Sequence, residues 1–488
     1  MSLDKYRQIL NELDGKLQKL LEERFSLSQK IGLYKFKNKL PIFDANREEE
    51  ILKGISGKYR ADIQDIYRLI LLKSKEKQKY DYFLVGSNLP YSFSPLIYQF
   101  YGINNYQLLE CDDFSLVLNH KFKGLNITNP YKHRAYITCE RVSEIAKRSE
   151  SVNIIIKDEN NLFGDNTDYY GFNALLDYYC FNPKGKHCLI IGNGATAKLI
   201  ALVLKDRKAS KVSFIVRNKR TEAEVLLSEY RNFKNCDFII NATPYGTYPK
   251  IELRPLFPLA EFKNLAGVID LIYNPGLTPL IREAKKYQIP TADGLYMLVA
   301  QASRNAAYFL GRKTNEILEV YRKLKYFRTN IVLIGMPYSG KSRLGELLSK
   351  ALDKELVDID RKLEEKGLGI NSLLLKEGLD SFRKAEAIET IHYAGKWNQI
   401  IACGGGIVLS QEAMEHLQNN GLILFLDVNQ ERLASRIDGT RPLIKSRQDL
   451  FRTYQERIKL YRNYADLIIG EEEEITEIKV KINEYLCD

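Results

Sequence analysis

Apolar residues at three- and four-residue spacing run through about the first eighty positions of the chain. The spacing continues from Leu3 to Tyr34, and no proline occurs before Pro41, so it predicts a first helix of more than about thirty residues. Asp44 is suited to cap a second helix, and residues 60–78 predict a third. A helix that long cannot bury its stripe against two short partners, so the pattern favours an intertwined dimer.

The pattern changes near residue 82, where short apolar runs begin to alternate with helical spacing. The alternation predicts a mostly parallel sheet covered by helices. The runs read YFLVGS, GLNITNP, HCLIIG, KVSFIV, DFIINAT and GVIDLIY. Two helices are predicted after residue 293, the second of them a connector with the sequence NEILEVYRKLKY. A second α/β unit starts after Thr329 and ends in an amphipathic helix.

Composition and charge narrow the classes of function. The 488 residues are 45% hydrophobic and 28% charged, as expected for a globular protein of about three domains. The net charge is +11, but the lysines and arginines are spread along the chain with acidic residues between them. This distribution favours several sites for small anions over a nucleic-acid-binding surface. The 7 cysteines form no C-x-x-C pair, and the sequence shows neither a leader nor a membrane-spanning run. We expect a cytoplasmic protein that binds neither nucleic acid nor a membrane.

Polar residues on the N-terminal helices share faces. Arg24 and Lys35 are about three helical turns apart on the first helix, and Ser74 and Gln78 are one turn apart on the third. With the segment PIFDANREE, they resemble the all-α chorismate mutase family across the whole helical segment. That family converts chorismate to prephenate, and a unimolecular rearrangement needs only orientation and electrostatic stabilisation.

The resemblance implies a role for each of eight polar residues. The substrate carboxylates would be bound by Arg7, Arg24 and Arg47. The ether oxygen would be stabilised by Lys35 and Gln78. The hydroxyl and the ring end would be held by Asp44, Glu48 and Ser74. Arg7 would come from the partner subunit of a homodimer. The alternative is a helical module for dimerisation or effector sensing that lacks catalysis.

Four motifs follow in the middle region: YSFSP, GLNITNPYKH, NNLFGDNTDYYGF and NATPYGT. The two serines of YSFSP are expected on one side of an extended segment. As an ordered set over about 230 residues, the motifs resemble shikimate dehydrogenase. That family reversibly reduces 3-dehydroshikimate with a nicotinamide cofactor. A dehydrogenase that accepts quinate is the nearer alternative.

This resemblance implies that Lys132 and Asp168 form the catalytic pair, because reduction of a carbonyl needs a proton donor at its oxygen. Tyr273 would lie near both the nicotinamide and the substrate. The substrate would be bound by Ser92, Ser94, Thr128, Asn153, Asp168 and Gln301. The expected lobes are residues 82–178 plus 293–315 for the substrate and 184–290 for the cofactor.

The segment GNGATAK predicts a pyrophosphate-binding turn, and the alanine at position 197 still allows a helix to pack closely on its strand. The next strand ends in the basic run RNKR, which favours the 2′-phosphate of NADP over NAD. Ordinary surface cations are the alternative for that run. The expected cofactor residues are Gly192, Gly194, Ala195, Arg217, Asn218, Lys219 and Arg220.

The segment GMPYSGKS after Thr329 matches the Walker A pattern between a strand and a helix, and predicts binding of ATP and Mg²⁺. The residues expected at the phosphates are Gly335, Gly340, Lys341 and Ser342, with Lys341 also counted as catalytic.

Further motifs, LVDIDRKLE, SFRKAE, IIACGGGIV, GTRPLIKS and ERIKLYRNYAD, make the chain from about Asn330 to Asp466 resemble shikimate kinase. The resemblance implies that Asp360 holds the substrate hydroxyls and accepts a proton, and that Arg441 closes over the phosphates. It also implies that Asp358 acts through the magnesium that Ser342 binds. Tyr338 stands where that family usually has glycine. The substrate carboxylate would be bound by Arg383 and Arg457. The substrate ring would lie against Gly404, Gly405 and Gly406.

The sequence therefore predicts a multidomain fold in three parts. An all-α region spans residues 1–80, a two-lobed α/β region with a Rossmann-type NADP lobe spans 81–318, and an α/β P-loop domain spans 329–488. The expected protein is a trifunctional enzyme of aromatic amino-acid biosynthesis. The alternatives are a bifunctional dehydrogenase and kinase with a non-catalytic helical module, and a scaffold of inactive ligand-binding domains.

Overall fold

The computed structural model describes most of the chain, namely residues 2–38, 40–87, 89–159, 161–219, 221, 224–369, 373, 377–439 and 442–487. The chain divides into two compact units. The first comprises Met1–Thr167 with Ala302–Thr314, and the second comprises Asp168–Gln301 with Asn315–Asp488. Among the described helices, none is both long enough and apolar enough to cross a membrane.

Three helices begin the first unit: α1 (Leu3–Lys37), α2 (Ala45–Lys53) and α3 (Arg60–Lys77). The prediction of a very long first helix is confirmed, because α1 has 35 residues. Asp44 caps α2 as predicted, accepting a hydrogen bond from the Arg47 amide. Gly32 lets α1 approach the end of α3 closely, since a Cβ atom there would fall 2.5 Å from the Gln78 Cα.

A six-stranded sheet forms the rest of the first unit, in the order β2-β1-β3-β5-β6-β4. Its strands are β1 (Tyr82–Gly86), β2 (Tyr106–Glu110), β3 (Gly124–Ile127), β4 (Arg141–Val142), β5 (Ile154–Asp158) and β6 (Asn161–Asp165). Its helices are α4 (Ser94–Phe100), α5 (Phe114–Leu118), α6 (Lys132–Thr138) and α7 (Glu144–Ser149). The expected parallel pairing holds for β1 with β2 and β3, whereas β5 is antiparallel to both its neighbours.

The second unit contains a fully parallel six-stranded sheet in the order β12-β11-β10-β7-β8-β9. Its strands are β7 (His187–Ile191), β8 (Lys211–Val216), β9 (Glu224–Leu226), β10 (Phe238–Asn241), β11 (Gly267–Asp270) and β12 (Thr291–Asp293). The associated helices are α8 (Asp168–Tyr178), α9 (Ala195–Asp206), α10 (Pro279–Lys286) and α12 (Ile317–Arg328). Helix α11 (Leu295–Leu310) begins in this unit, and its residues from Ala302 onward belong to the first. The first strand of this sheet lies between β8 and β10, so its carboxyl end is a topological switch point, where ligands bind in such folds.

A second parallel sheet of this unit has five strands in the order β14-β15-β13-β16-β17. The strands are β13 (Asn330–Gly335), β14 (Glu355–Asp358), β15 (Gln399–Ala402), β16 (Gly421–Asp427) and β17 (Leu467–Gly470). The helices are α13 (Lys341–Leu352), α14 (Ile359–Glu365), α15 (Leu379–Ala394), α16 (Gln411–Asn420), α17 (Gln430–Ser435), α18 (Arg447–Tyr464) and α19 (Ile475–Cys487). Apolar clusters cover both faces of this sheet, as its near-continuous apolar strands require.

Candidate active sites

A partly buried polar contact joins the first and third helices. The Arg24 guanidinium donates to the Ser74 hydroxyl at 2.6 Å, and Ser74 is almost fully buried. The adjacent Lys75 lies 3.0 Å from the Glu48 carboxylate on α2. The structure thus brings three of the predicted residues, Arg24, Ser74 and Glu48, to one stretch of α3.

Lys35 and Gln78 lie at helix ends. The Lys35 ammonium donates to the Ile42 carbonyl at 2.7 Å. Gln78 is the residue directly after α3 rather than a residue within it, so the predicted one-turn spacing from Ser74 ends at the helix cap. Its amide oxygen is buried without a hydrogen-bond partner among the described residues. Buried polar atoms are rarely left unpaired, and functional sites are one place where this occurs.

The remaining residues of the helical region are more exposed. Arg47 pairs with Glu50 at 3.0 Å, and both side chains are exposed. Arg7 is exposed near the start of α1. It precedes Arg24 by seventeen positions, or about 25 Å along a helix axis. Arg7 therefore does not reach the Arg24–Ser74 contact of its own chain.

The serines of YSFSP meet through hydrogen bonds at the start of α4. The Ser92 hydroxyl donates to the Ser94 hydroxyl at 3.1 Å, and the Ser94 amide donates to the Ser92 oxygen at 3.2 Å. The expectation of an extended segment is wrong, because Phe93 between them has helical dihedral angles. The hydroxyls are close because the chain turns into a helix here.

Thr128, Asn153 and Lys132 lie near the carboxyl end of β3 in the first sheet. The amino end of β5 lies at the same end of the sheet, because β3 and β5 are antiparallel. The Asn153 amide oxygen accepts from the Thr167 amide at 2.8 Å and from the Thr167 hydroxyl at 3.1 Å, so its orientation is fixed. Lys132 begins α6 and is buried.

Asp168 and Gln301 belong to the second unit, whereas Lys132 belongs to the first. Asp168 begins α8 and is buried. Gly171, in the first turn of α8, lets α11 approach, since a Cβ atom there would fall 3.0 Å from the Gln301 Cβ. The Gln301 amide nitrogen donates to the Leu298 carbonyl at 2.8 Å. Gln301 therefore lies beside the turn that Asp168 begins.

The predicted dinucleotide turn lies at the switch point after β7. Gly192 has φ = 104°, a conformation that favours glycine, and Gly194 is the N-cap residue of α9. Ala195 begins that helix, and Ala197 is fully buried in its core, as the close packing of helix on strand requires. The first amides of α9 can bind an anion.

The basic run after β8 is exposed. The Arg217 guanidinium lies over the Tyr245 ring, 5.8 Å from its centroid. The Lys219 ammonium lies 3.9 Å from the Glu229 carboxylate. Asn218, which lies between Arg217 and Lys219 in the sequence, is exposed. Arg220 lies outside the described residues. Two cations are therefore placed beyond the carboxyl end of the strand that follows the dinucleotide turn.

The P-loop has the predicted strand–loop–helix form. β13 ends at Gly335, and α13 begins at Lys341 after Gly340, which has φ = 91°. The Lys341 ammonium is buried inside the loop, where it donates to the carbonyls of Gly335 at 3.0 Å and Met336 at 2.9 Å. The loop thus combines a helix N-terminus with an enclosed cation, the two features that bind nucleotide phosphates.

Ser342 and Asp358 meet directly next to this loop. The Ser342 hydroxyl donates to the Asp358 carboxylate at 2.5 Å. The described residues contain no group of three or more His, Cys, Asp or Glu side chains arranged for a metal ion. A hydroxyl and a carboxylate fit magnesium, because this ion takes few protein oxygens and completes its shell with water and phosphate.

The three glycines after β15 lie close to side chains that the sequence predicts to be functional. A Cβ atom at Gly404 would overlap the Glu386 carboxylate and fall 2.9 Å from Asp360 Oδ1. A Cβ atom at Gly406 would overlap the Arg383 guanidinium. The glycines thus let Asp360 and Arg383 approach one stretch of backbone.

Buried charges and a tyrosine complete this cluster. Arg383 Nη1 lies 2.5 Å from Glu386, whose carboxylate is 2% exposed. Burial raises the pKa of Glu386, and the Arg383 guanidinium opposes that rise. The Gly405 carbonyl accepts from Arg457 at 2.9 Å and from the Tyr461 hydroxyl at 2.5 Å. Two guanidinium groups therefore converge on the glycine segment, an arrangement suited to a carboxylate ligand.

Sequence reasoning gave no role to Glu386, Tyr461 or Pro337. Tyr461 lies one turn after Arg457 on α18, so helical spacing could have identified it. Pro337 contacts Gly405, where a Cβ atom would fall 2.7 Å from the proline ring. That contact joins positions far apart in the sequence, and no local pattern indicates it.

A cavity of about 510 Å³ lies beside the P-loop, and its lining includes Tyr338, Arg343, Arg436 and Glu471. Arg436 donates to the Tyr338 carbonyl at 3.2 Å and forms an ion pair with Glu471. Arg441, expected to close over the phosphates, lies outside the described residues.

Comparison with known proteins connects these sites to established families. The NADP(+) shikimate dehydrogenase of Clostridium botulinum (strain Hall) is 33% identical over 238 residues, covering 45% of this chain and 92% of the relative. The chain belongs to the shikimate dehydrogenase family. The corresponding enzyme of Clostridium perfringens (strain ATCC 13124) is 31% identical over 264 residues, covering 50% of this chain and 97% of the relative.

Family models match three parts of this chain. They are chorismate mutase type II over residues 6–79, the shikimate dehydrogenase substrate binding domain over 84–155, and shikimate kinase over 337–486. A solved chorismate mutase/shikimate 5-dehydrogenase fusion from Clostridium acetobutylicum is 29% identical, with a TM-score of 0.46, covering 51% of this chain and 97% of that one. The chain is a multifunctional enzyme of the shikimate pathway, with mutase, dehydrogenase and kinase regions.

Proposed function

We propose that this chain reduces 3-dehydroshikimate with NADPH, phosphorylates the resulting shikimate with ATP, and rearranges chorismate to prephenate. The proposed regions are the mutase at 1–80, the dehydrogenase at 81–318 and the kinase at 329–488. Within the dehydrogenase, residues 82–178 plus 293–315 form the substrate lobe and residues 184–290 form the NADP lobe. A cytoplasmic location fits the six cysteines with described side chains, none of which forms a disulfide.

The observation that carries the proposal is the cluster around Gly404–Gly406. It brings Asp360, Arg383 and Arg457 together in the same unit as the P-loop. In the proposed kinase reaction the two arginines bind the shikimate carboxylate, and Asp360 orients the attacking hydroxyl and accepts its proton. Glu386 holds Arg383 in place through the buried ion pair.

Lys341 and the amides at the start of α13 would bind the ATP phosphates, with Arg441 closing over them. Ser342 and Asp358 would hold Mg²⁺, which supplies neutralisation of the phosphate charge. The Lys341 ammonium now bonded to loop carbonyls would exchange these partners for phosphate oxygens. Gly335 and Gly340 allow the loop backbone to approach the nucleotide.

In the proposed dehydrogenase reaction, Lys132 protonates the carbonyl oxygen and Asp168 keeps the ammonium charged and oriented. Substrate hydroxyls and the carboxylate would be bound by Ser92, Ser94, Thr128, Asn153 and Gln301. Tyr273 would lie beside the nicotinamide and the substrate. NADPH, which would supply the hydride and leave as NADP⁺, fits the turn of Gly192, Gly194 and Ala195 with the basic run at 217–220, and the curated relatives are named NADP(+) enzymes.

The mutase region would act as a homodimer, in which Arg7 of one protomer completes the site of its partner. The distance between Arg7 and Arg24 along α1 and the exposed apolar stripe of α1 support this arrangement. Arg24 and Arg47 would bind the carboxylates, and Lys35 and Gln78 the ether oxygen. The hydroxyl and ring end would be held by Asp44, Glu48 and Ser74.

One reaction tests the two consecutive steps. Full-length protein is incubated with 3-dehydroshikimate, NADPH and Mg-ATP, and the products are identified by mass. We expect shikimate 3-phosphate, and accumulation of shikimate alone would refute the kinase assignment. Replacing NADPH by NADH tests whether the basic run binds the 2′-phosphate of NADP. Equal efficiency with the two cofactors would contradict that role. Replacing 3-dehydroshikimate by 3-dehydroquinate, the keto form of quinate, tests whether the enzyme accepts quinate instead.

The bifunctional alternative, with a non-catalytic helical module, makes a different prediction for chorismate. The match to the chorismate mutase type II model and the partly buried Arg24–Ser74 contact favour an active mutase. Purified protein that leaves chorismate unchanged would favour the alternative. Arg24→Ala is the matched variant, and it should abolish prephenate formation while both other activities persist.

A further inference from the structure

The loop that carries Tyr273 is supported from outside its own sheet. It joins β11 to α10 over residues 271–278. The proposed function places Tyr273 beside the nicotinamide and the substrate, so the geometry of this loop bears on the dehydrogenase reaction. Within the loop, the Asn274 carbonyl accepts from the Tyr248 amide at 3.0 Å and from the Thr247 hydroxyl at 3.2 Å.

Arg328 is the first external support. It is the last residue of α12 and is buried. One nitrogen, Nη1, donates to the Tyr273 carbonyl at 2.8 Å and to the Asp293 carboxylate at 2.5 Å. The guanidinium also lies against Gly276, where a Cβ atom would fall 2.5 Å from Nη2. A buried ion pair thus fixes the backbone of Tyr273 itself.

Asn420, at the end of α16 in the kinase region, is the second support. Its amide oxygen accepts from the Gly276 amide at 2.9 Å, and its amide nitrogen donates to the Asn274 side chain at 2.9 Å. The carbonyl of the preceding residue, Asn419, accepts from the Leu277 amide at 2.9 Å. The side chains of Asn274 and Asn420 are buried, so these hydrogen bonds are shielded from water.

Both supports lie at the end of the kinase sheet that is opposite its P-loop. Asn420 directly precedes β16, and Arg328 precedes β13 by two positions. The P-loop follows the other end of β13, a strand of 6 residues, or about 20 Å. A substitution at either support should therefore leave the phosphate site in place.

We infer that Arg328 and Asn420 are positioning residues of the dehydrogenase, through which the kinase region and the connecting helix hold the Tyr273 loop. The inference rests on the proposed role of Tyr273. Each support makes directional hydrogen bonds to the loop, so its loss allows the loop to shift rather than merely weakening an apolar contact. A shift of about 1 Å in a positioning group can cost up to about a hundredfold in rate.

The test uses Asn420→Ala in the full-length chain, with both activities measured on the same preparation. We expect the dehydrogenase kcat to fall about tenfold, with the kinase kcat changed by less than about twofold. The kinase activity reports that the chain is folded. Arg328→Lys is the second variant, because lysine keeps the charge opposite Asp293 but lacks the guanidinium geometry that also reaches the Tyr273 carbonyl.

Arg282→Ala is the matched control. From α10, Arg282 donates to the Asn419 side chain at 2.6 Å and to the Glu415 carbonyl at 2.7 Å, so it bonds the same helix. Its backbone amide donates to the Thr278 carbonyl, a bond that the substitution keeps, and none of its side-chain hydrogen bonds in the described part of the chain goes to the loop at 271–278. Its dehydrogenase kcat should stay within about twofold of the wild type. Equal losses in Arg282→Ala and Asn420→Ala would indicate general damage to the contact and overturn the inference.

A double-mutant cycle with Tyr273→Ala separates the possible failures. If Asn420 acts through Tyr273, then Asn420→Ala should cause little further loss in the Tyr273→Ala background. If Tyr273→Ala changes neither kcat nor KM, the proposed role of Tyr273 fails and the inference falls with it. If Tyr273→Ala lowers kcat but Asn420→Ala does not, or if the two losses multiply, only the positioning inference is overturned.

Discussion

Tyr338 occupies a strained position in the P-loop. Its φ of 67° lies in the left-handed region, where residues other than glycine cost about 1 kcal/mol or more. Its ring packs against the apolar core of the kinase region, whereas its hydroxyl is buried without a hydrogen-bond partner among the described residues. The packing of the ring therefore offsets the backbone strain, and the two contributions can be separated by substitution.

We expect Tyr338→Ala to be less stable than Tyr338→Gly by about 1 kcal/mol. Both variants lose the ring, but only glycine relieves the strain at positive φ. The chain has 1 tryptophan, Trp397 in the kinase region, so its fluorescence follows unfolding of that region in urea. Equal unfolding midpoints for the two variants would contradict the prediction.

Asp270 gives the NADP lobe a pH-dependent stability. It is buried at the end of β11 and accepts from the Thr278 hydroxyl at 2.6 Å and the Asn241 amide at 2.9 Å. Burial raises the pKa of Asp270 to about 7 despite these hydrogen bonds. The unfolded chain releases this proton near pH 4, so the folded state alone holds it between about pH 4 and 7. Its stabilising contribution is complete below about pH 4 and is lost as the pH rises to 7.

Asp270→Asn should remove this dependence, because the amide keeps the shape but does not ionise. The stability of the variant relative to the wild type should therefore rise between about pH 4 and 7. Hydrogen exchange of the amides in β10 and β11, measured at several pH values, gives the local free energy of opening. A difference between the two proteins that does not change with pH would refute the prediction.

At the scale of elements, α1 leaves an apolar stripe uncovered. The exposed residues of the stripe are Leu3, Tyr6, Leu10, Leu13, Leu17, Leu20, Leu27, Ile31 and Tyr34. A contiguous apolar surface of this length is typical of a protein interface. In the proposed homodimer, the stripe packs against the partner's helices.

Leu13→Lys should convert the dimer to a monomer, because it places a charge in the middle of the stripe. We expect prephenate formation to be lost with the dimer, while the dehydrogenase and kinase activities persist. Asn11→Lys is the matched control, since position 11 lies about 160° around the helix from position 13. Sedimentation velocity distinguishes the two states. A dimer that survives Leu13→Lys would exclude this surface as the interface.

The elements with strong local patterns were predictable from the sequence. The length of α1, the cap at Asp44 and the strand–loop–helix form of the P-loop follow from apolar spacing and capping chemistry, and the structure confirms them. The antiparallel strands β5 and β6 were not predicted. A short turn at Glu159, where φ is 51°, joins β5 to β6 and makes them antiparallel, and the apolar pattern does not indicate this turn.

The candidate sites were predictable only in part, because only some of their residues stand in strong local patterns. The glycine triplet and the arginines of the kinase region stand in recognisable motifs, so they could be named from the sequence. The predicted geometry of Ser92 and Ser94 was wrong, because the helical conformation of Phe93 has no strong local signal in the sequence. The contact of Asn420 with Gly276 joins polar residues that are distant in the sequence and belong to no motif.

At the scale of the molecule, the proposed NADP lobe and the kinase region belong to one compact unit. Beyond the supports of the Tyr273 loop, the Tyr248 ring lies against Gly395, where a Cβ atom would fall 2.5 Å from it. Tyr248 also meets Trp397 edge to face, with ring centroids 6.5 Å apart. Buried polar contacts and half-buried aromatic contacts of this kind favour cooperative unfolding, so a ligand of one region should stabilise the other.

We therefore expect Mg-ADP, which has its proposed site only in the P-loop, to protect the dehydrogenase activity against heat. At about a hundred times its dissociation constant, a ligand stabilises the folded state by about 2.7 kcal/mol, or roughly 5 °C for a unit of this size. The measurement is the temperature at which half of the dehydrogenase activity is lost, with and without Mg-ADP. Lys341→Ala is the control, because it should weaken nucleotide binding and so abolish the protection. Protection of the kinase activity alone would show that the two regions unfold independently.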